Sequence, residues 1–576
     1  MRRVIGALKV AQAGALVMGD WLQDRCTEWS VTRQDHAMQP IRSVLVLGGG
    51  TAGYFVAIAL KRRYSGLSVT LVDSPNIPII GVGEATTTLL PPFLFDDLGI
   101  DPVALHEEVR PTFKLGIAFD GWGPLSAPRF GYPFGESEPL AASVHDASLV
   151  TQSLASLLME DSRVPIARDA DGSIRSHLTQ MKFAYHLDNA RFVAFLVGHA
   201  KTVGVMHRSA EIVEVRTDAG EITELVTESG EVLRADLYVD ASGFRARLVG
   251  EALGSPFQSY ASSLFCDSAV IGKLDVGRAI PSHTNAERMS SGWCWDISLE
   301  DSRHRGYVFA SSFQPPKEAE AEFRARNPGL KETWQLRFQS GRRSEFLRGN
   351  AVAFGNAYGF VEPLESTALH MVILQIAWLA GMLGTATDDA LPTHSPGDGH
   401  LDVGKVNAGV GHHWDYLRAF LALHYKLCTR ADTPFWRACR ERIDIAPLDG
   451  LIETFRREGV SLASASKAMP NDPAFGPNGL LTIVLGLDAI AHRPMTNVPR
   501  EAWRQRVEVQ REFVTRCMPH REALELLRER SELLHALDQS GSWCRDGHEF
   551  VRVGEDGHMA HTPHQALRST PRSREG

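Results

Sequence analysis

The chain reads as a mixed α/β protein: a Rossmann-like nucleotide-binding domain assembled from discontinuous segments, with a largely helical region after it. Three observations carry this. At 41–60 an apolar run breaks into glycines and then into a helix-like stretch. Short apolar runs ending in small or acidic residues recur at 68–73, 231–243 and 350–355. Beyond Ser366 the pattern turns helical, and 370–379 is apolar nearly all round, as a buried helix would be.

The first unit has Gly48, Gly50 and Gly53 at the GxGxxG positions between strand and helix. Glycine there permits the turn, lets a pyrophosphate approach the backbone, and lets helix pack on strand. The first N–H groups of the helix have no internal partner and favour an anion. Roughly 20 residues further on, the next apolar run ends in Asp73, suited to a ribose hydroxyl. A second glycine turn follows at 79–86. Strands that return to one sheet across hundreds of residues imply a domain built from separated pieces. Between them, 204–227 alternates about a turn at Asp218-Ala-Gly220 and reads as antiparallel strands. The stretch 392–401 is a loop, and 423–436 reads as a helix ending near Thr433-Pro434. The expected organisation is an extension over 1–40, a nucleotide-binding domain with strand-rich insertions over 41–365, a mainly helical substrate region over 366–554 and a disordered tail over 555–576.

With 576 residues, 44% of them hydrophobic, the chain can bury one large core or several smaller ones. The net charge of −9 arises from 60 basic and 69 acidic residues, with no basic block, which excludes a nucleic-acid role. The seven cysteines show neither CxxC pairs nor metal-ligand spacing, so no metal is expected and a reducing cytoplasm suits them. No apolar run has the length of a membrane span. The first 40 residues begin like an export signal, but Lys9 interrupts the apolar part. They read instead as a non-native or disordered extension, with Met38 an alternative start.

Three further motifs bear on chemistry. In Gly292-Trp-Cys-Trp-Asp-Ile297, strand alternation puts Trp293, Trp295 and Ile297 on one face. In Pro111-Thr-Phe-Lys-Leu-Gly-Ile-Ala-Phe119, Lys114 shares a face with Gly116 and Ala118, small neighbours that would leave space beside the ammonium. In Gly359-Phe-Val-Glu-Pro-Leu-Glu-Ser-Thr-Ala368, Ser366 or Thr367 can cap the following helix, whose bare N–H groups suit a small anion. On their residues alone these are also compatible with aromatic core, a solvent-facing lysine and a capped helix.

Together the three resemble the flavin-dependent tryptophan halogenase family, and matches such as Tyr132-Pro-Phe-Gly135, Tyr185-His-Leu-Asp188 and Leu423-His-Tyr-Lys extend the likeness from about Arg42 to Ala536. The resemblance implies a Rossmann-like FAD-binding domain and FADH2-dependent installation of chloride or bromide on an electron-rich, indole-like substrate, free or carrier-bound. Reduced FAD would react with oxygen at its C4a carbon, and the hydroperoxide with halide. Hypohalous acid would then travel through the interior to Lys114, held there as a hydrogen-bonded acid or a haloamine. Glu365 would polarise it or take the ring proton. Thr51, Ala52, Val82, Ala85, Ile212, Asn356 and Leu369 would join the glycines and Asp73 around FAD. Thr367 and Ala368 would hold the halide, and Trp293, Trp295 and Ser366 would lie toward the substrate. Ala368 stands where the family usually has glycine; if that position needs a positive φ, alanine costs about 1 kcal/mol. With no second GxGxxG for NAD(P)H, a separate reductase would supply the flavin, and a homodimer is compatible. The rival readings are a flavin-dependent hydroxylase that ignores halide and a flavin-binding protein without turnover.

Overall fold

The computed structural model describes residues 41–77, 83–135, 153–169, 171–383, 403–468, 475–490, 500–535 and 537. The expected extension, the loop at 392–401, the tail after 554 and Val82 lie outside them. The chain enters through β1 (Ser43–Leu47), α1 (Thr51–Arg63) and β2 (Ser68–Asp73). It then leaves for β3 (Gly83–Ala85), β4 (Thr112–Lys114), β5 (Gly116–Asp120), β6 (Arg129–Pro133), β7 (Ala184–Asp188) and α2 (Asn189–Thr202). It returns with β8 (Met206–Ser209) and, after a hairpin of Ile212–Asp218 against Glu221–Thr227, with β9 (Leu237–Asp240). A second excursion comprises β10 (Ser268–Leu274), β11 (Thr284–Met289), β12 (Gly292–Ser298), β13 (Arg303–Phe309) and β14 (Thr333–Arg337). The last return is β15 (Leu347–Arg348) and β16 (Ala351–Ala353).

These returns build a six-stranded sheet in the order β8–β2–β1–β9–β16–β15, parallel except for its last pair. Pairing of Leu47 with Asp240, and of Asp240 with Ala353, brings the strand ends to one edge, where ligands bind in open α/β sheets. Met206–Ser209, expected among antiparallel strands, instead extends this sheet beside β2.

The second sheet has seven strands, β14–β10–β13–β12–β11–β5–β6, and a third is β3–β7–β4. One continuous strand over 111–119 was expected, but the chain divides at Leu115. Its N–H donates to Ser282 O and its C=O accepts from Phe134 N, continuing the β11 and β6 registers of the second sheet, whereas β4 just before it pairs with β7 in the third. Residues 111–119 are buried throughout, and the simple two-face picture fails because the segment passes from one sheet to another. Alternation does hold in β12. Trp295 and Ile297 face one way beside Ala269, Ile271 and Val308, while Cys294 packs with Val270, Met289, Tyr307, Phe309 and Phe323 on the other side.

The helical part begins with α3 (Ala368–Leu383), buried along nearly its whole length. It continues through α4 (Val403–Leu427), α5 (Pro434–Arg442) and α6 (Gly476–Leu487). Thr433-Pro434 starts a helix where one was expected to end: the Thr433 hydroxyl accepts from Trp436 N, and proline at the first position gives up only an N–H without an intrahelical partner.

Candidate active site

A cavity of about 860 Å³ runs from the glycine turn at the edge of the parallel sheet to the turn before α3. Each fingerprint glycine has its own reason. Gly48 takes φ +129°, and a Cβ there would lie 2.1 Å from Ala241 O. At Gly53 a Cβ would lie 2.0 Å from Gly48 O, so this glycine lets α1 sit on β1. At Gly50 a Cβ would meet nothing within 4 Å, because the position opens into the cavity. Gly50 precedes α1 without a side-chain cap, and no acidic residue stands in the first turn, leaving the helix N-terminus to an anion. Asp73 lines the cavity at the end of β2, with Oδ1 3.1 Å from His207 Nε2.

Ala85, Ile212, Asn356, Trp295, Ser366 and Ala368 also line it. Thr51, Ala52, Gly53, Leu369, Thr367 and Trp293 are off its wall: the Thr51 hydroxyl donates to Asn189 Oδ1, and Ala52 packs on Gly355. Arg245, Arg247 and Arg337, which no motif singled out, add positive charge to the lining. The Tyr54 hydroxyl and Trp295 Nε1 border the cavity and are buried without hydrogen-bond partners. A long cavity with a bare helix N-terminus, arginines and such orphaned donors fits a dinucleotide such as FAD.

Lys114 and Glu365 lie beyond the far end. Lys114, fully buried at the end of β4, donates to Ser366 Oγ at 2.7 Å and to Thr86 O at 2.9 Å, with the Phe134 ring centroid 5.3 Å away. Burial pulls its pKa down to about 7, against the opposing pull of Glu365. The space expected beside it at Gly116 is filled, since a Cβ there would lie 2.3 Å from Tyr132 O and 2.8 Å from Met159 Sδ. Gly116 is small because strands crowd it. Glu365 is buried too, and its pKa is raised by burial, with His424 and Lys114 opposing. His424 Nε2 lies 2.7 Å from Glu365 Oε1, and its Nδ1 lies 2.9 Å from Phe420 O. The helix N-terminal contact falls to Thr367, whose C=O accepts from Met371 N.

Ser366 lines the cavity and accepts from Lys114, so it is the shared wall between the nucleotide side and the lysine side. It carries the positive φ of this turn, +59°, and Ala368 is not among the positive-φ residues. The strain expected at Ala368 is therefore absent; alanine simply opens α3. His424 and Thr86 both fell within quoted motifs, but nothing in their spacing showed whom they would touch.

Fold and cavity define a Rossmann-type flavoprotein with a buried lysine–carboxylate site behind its cofactor cavity. The tryptophan halogenase family profile matches residues 43–499. Tryptophan 6-halogenase SttH of Streptomyces toxytricini is 32% identical, over 78% of this chain and 90% of its own length. Tryptophan 7-halogenase RebH of Lentzea aerocolonigenes is also 32% identical, over 70% and 79%. The crystal structure of MibH, described as a lanthipeptide tryptophan 5-halogenase, superposes with a TM-score of 0.80 at 39% identity, covering 89% of this chain and 98% of that one. The chain belongs to the tryptophan halogenase family, and it is a flavin-dependent halogenase that uses FADH2 and halide.

Proposed function

We propose that this chain halogenates the indole of tryptophan, with Lys114 and Glu365 as catalytic residues and the halide at the Thr367–Ala368 end of α3. The observation that carries the reading is the Lys114–Ser366 hydrogen bond across the wall of the cofactor cavity. Bound reduced FAD supplies the electrons that turn oxygen and halide into an electrophilic halogen. The fingerprint glycines and the arginines would hold the cofactor, with Asp73 toward its ribose. Ala85, Ile212, Asn356 and Trp295 line the space it would fill, Thr51, Ala52, Leu369 and Trp293 would back that lining from behind the wall, and Val82 would follow on the flavin side.

Hypohalous acid passing Ser366 meets Lys114, whose lowered pKa lets it act near neutrality as an ammonium donor or as an amine that carries the halogen. Attack by the ring carbon forms the carbon–halogen bond and releases the oxygen as water, or returns the lysine amine; the ring proton passes to Glu365, with His424 orienting the carboxyl. Regiochemistry comes from holding ring and oxidant together, because free hypohalous acid is unselective. We place the enzyme in the cytoplasm beside a flavin reductase; among the described residues no helix is long and apolar enough to cross a membrane.

The greater identity with the lanthipeptide enzyme on structural superposition, 39% against 29% for SttH, favours an indole presented on a peptide over free tryptophan. Reduced flavin, each halide, and either tryptophan or a tryptophan-containing peptide, followed by mass spectrometry, test this. A halogenated peptide formed at least tenfold faster is expected; preference for the free amino acid overturns the peptide assignment. Oxygenated product regardless of halide would establish the hydroxylase instead. Lys114→Met keeps the buried stem and should leave a folded, FAD-binding protein with halogen transfer reduced by about 10³-fold or more, as expected when a positioning or proton-transfer group is lost. Near-normal yield in that variant would remove Lys114 from the mechanism.

A further inference from the structure

The turn before α3 carries two glutamates, Glu362 and Glu365, of which halogen transfer engages only Glu365. Glu362 is fully buried. Its Oε1 accepts from the Tyr425 hydroxyl, while Oε2 completes no hydrogen bond. Trp293 Nε1 is also buried and completes none, yet with Tyr425 and Cys266 it lies near enough to favour the ionised form of Glu362. The groups that act on Glu362 are Tyr425 on α4, Cys266 just before β10, Trp293 on β12 and Cys439 on α5. All are neutral near pH 7, and no lysine, arginine or histidine is among them. Glu365 differs in having His424 and, at longer range, Lys114. Burial pushes the Glu362 carboxyl up to about 7.

The arrangement is ordered. Consecutive residues of α4, His424 and Tyr425, grip Glu365 and Glu362 respectively. Pro363, Ser366 and Ala368 line the cofactor cavity, and neither glutamate does. The turn therefore shows Pro363, Ser366 and Ala368 to the cavity and keeps both acids behind. An anion at the start of α3 would meet the helix N-terminus in front and, through buried low-dielectric protein, whatever charge Glu362 bears six residues earlier in the same turn.

We propose that Glu362 is a positioning residue for halogenation: its carboxyl holds Tyr425 at the back of this turn, beside the unpartnered Trp293 indole, and must be uncharged for the front to hold halide well. The inference rests on the halide site proposed at Thr367–Ala368. Ionised, Glu362 has no cation among the described groups that act on it, so the added negative charge weakens halide binding and changes the partner offered to the Trp293 N–H.

The experiment combines a spectroscopic and a kinetic readout. In protein carrying ¹⁵N-tryptophan, the Trp293 indole resonance is assigned by its loss in Trp293→Phe and followed from pH 6 to 9. It should titrate with a midpoint near neutrality, stay fixed in Glu362→Gln, and titrate at higher pH in Tyr425→Phe, which removes a donor to the charged form. Over the same range the KM for bromide should rise about tenfold in the unaltered enzyme and stay within about twofold in Glu362→Gln, the scale of one like charge across a short protein path. A Trp293 signal that does not move, or moves equally in Glu362→Gln, overturns the proposal, as does a bromide KM that rises alike in both. Ala368→Pro tests the underlying site separately, because proline at the first helical position removes one N–H and is otherwise tolerated. An unchanged bromide KM in Ala368→Pro sinks the halide site. A raised one, with no effect of Glu362→Gln, sinks only the inference about Glu362.

Discussion

At Ser366 three constraints meet in one residue: a positive φ, a place on the cavity wall and a hydrogen bond from Lys114. A non-glycine residue in the left-handed region costs roughly 1 kcal/mol or more, and the Lys114 hydrogen bond is the observed contact that offsets it. Ser366→Gly would relieve the backbone but lose that bond. Two residues on, Ala368 needs no such freedom. Ala368→Gly is therefore expected to keep the halide KM within about twofold while lowering stability by up to about 1 kcal/mol, the helix-propensity cost of glycine. Halide titration and chemical denaturation of the two proteins check it; a much improved halide KM in the glycine variant would show that the departure from the family residue matters after all. Protonation gives a second test at this scale. The folded pKa of Glu362, about 7, lies above the ordinary value of 4.5. The folded state thus binds the extra proton, and the acid's contribution to stability is lost as pH rises from about 4.5 through 7. Glu362→Gln removes that loss and should be more stable than the unaltered protein at pH 8 by about 3 kcal/mol at most, at 1.36 kcal/mol per pH unit. Equal denaturation midpoints at pH 8 would mean that the carboxyl ionises in place at little cost.

Elements supply what single residues cannot, and the glycine turn shows how. Gly48 and Gly53 are tied to the geometry of β1 and α1, whereas Gly50 faces open cavity, so similar substitutions should fail differently. Gly50→Val is expected to leave the fold intact and abolish FAD binding by filling the pyrophosphate's space. Gly53→Ala should destabilise the sheet, since its Cβ would collide with Gly48 O. Flavin fluorescence quenching and circular dichroism separate the outcomes, and normal FAD affinity in Gly50→Val would remove the cofactor assignment. This part of the site was legible because each element's job is local: strand period, glycine spacing and a terminal acid all fall within 41–73. The lysine side was less so. Gly116 looked like vacant space and proved to be crowded by Tyr132 and Met159, because strand pairing between distant segments decides what meets a small residue. His424 and Glu362 belong to the same class. The His424–Glu365 and Tyr425–Glu362 contacts span 59 and 63 residues and depend on the rotation of α4, which no local pattern fixes.

At the scale of the whole molecule, the chain leaves and re-enters its parallel sheet, and the excursions supply what surrounds the strand ends. The first brings β4 and Lys114; the second brings β12 with its tryptophans. The turn into α3 then closes the cavity after the last return. One continuous space links fingerprint to turn. Reduction by a nicotinamide would need a second nucleotide placed with its reacting carbon about 3–3.5 Å from the flavin, and the sequence holds one GxGxxG fingerprint. NADH or NADPH alone is therefore expected to leave bound FAD oxidised in a stopped-flow experiment, and catalytic amounts of an unrelated flavin reductase should restore both bleaching and halogenation. Free FADH2 made photochemically should replace that reductase, because nothing but reduced flavin has to pass between the two proteins. Rapid bleaching by NADH without the reductase would reveal a nicotinamide site. Failure of photochemically reduced FAD, with success of the reductase, would instead mean that the two proteins must touch.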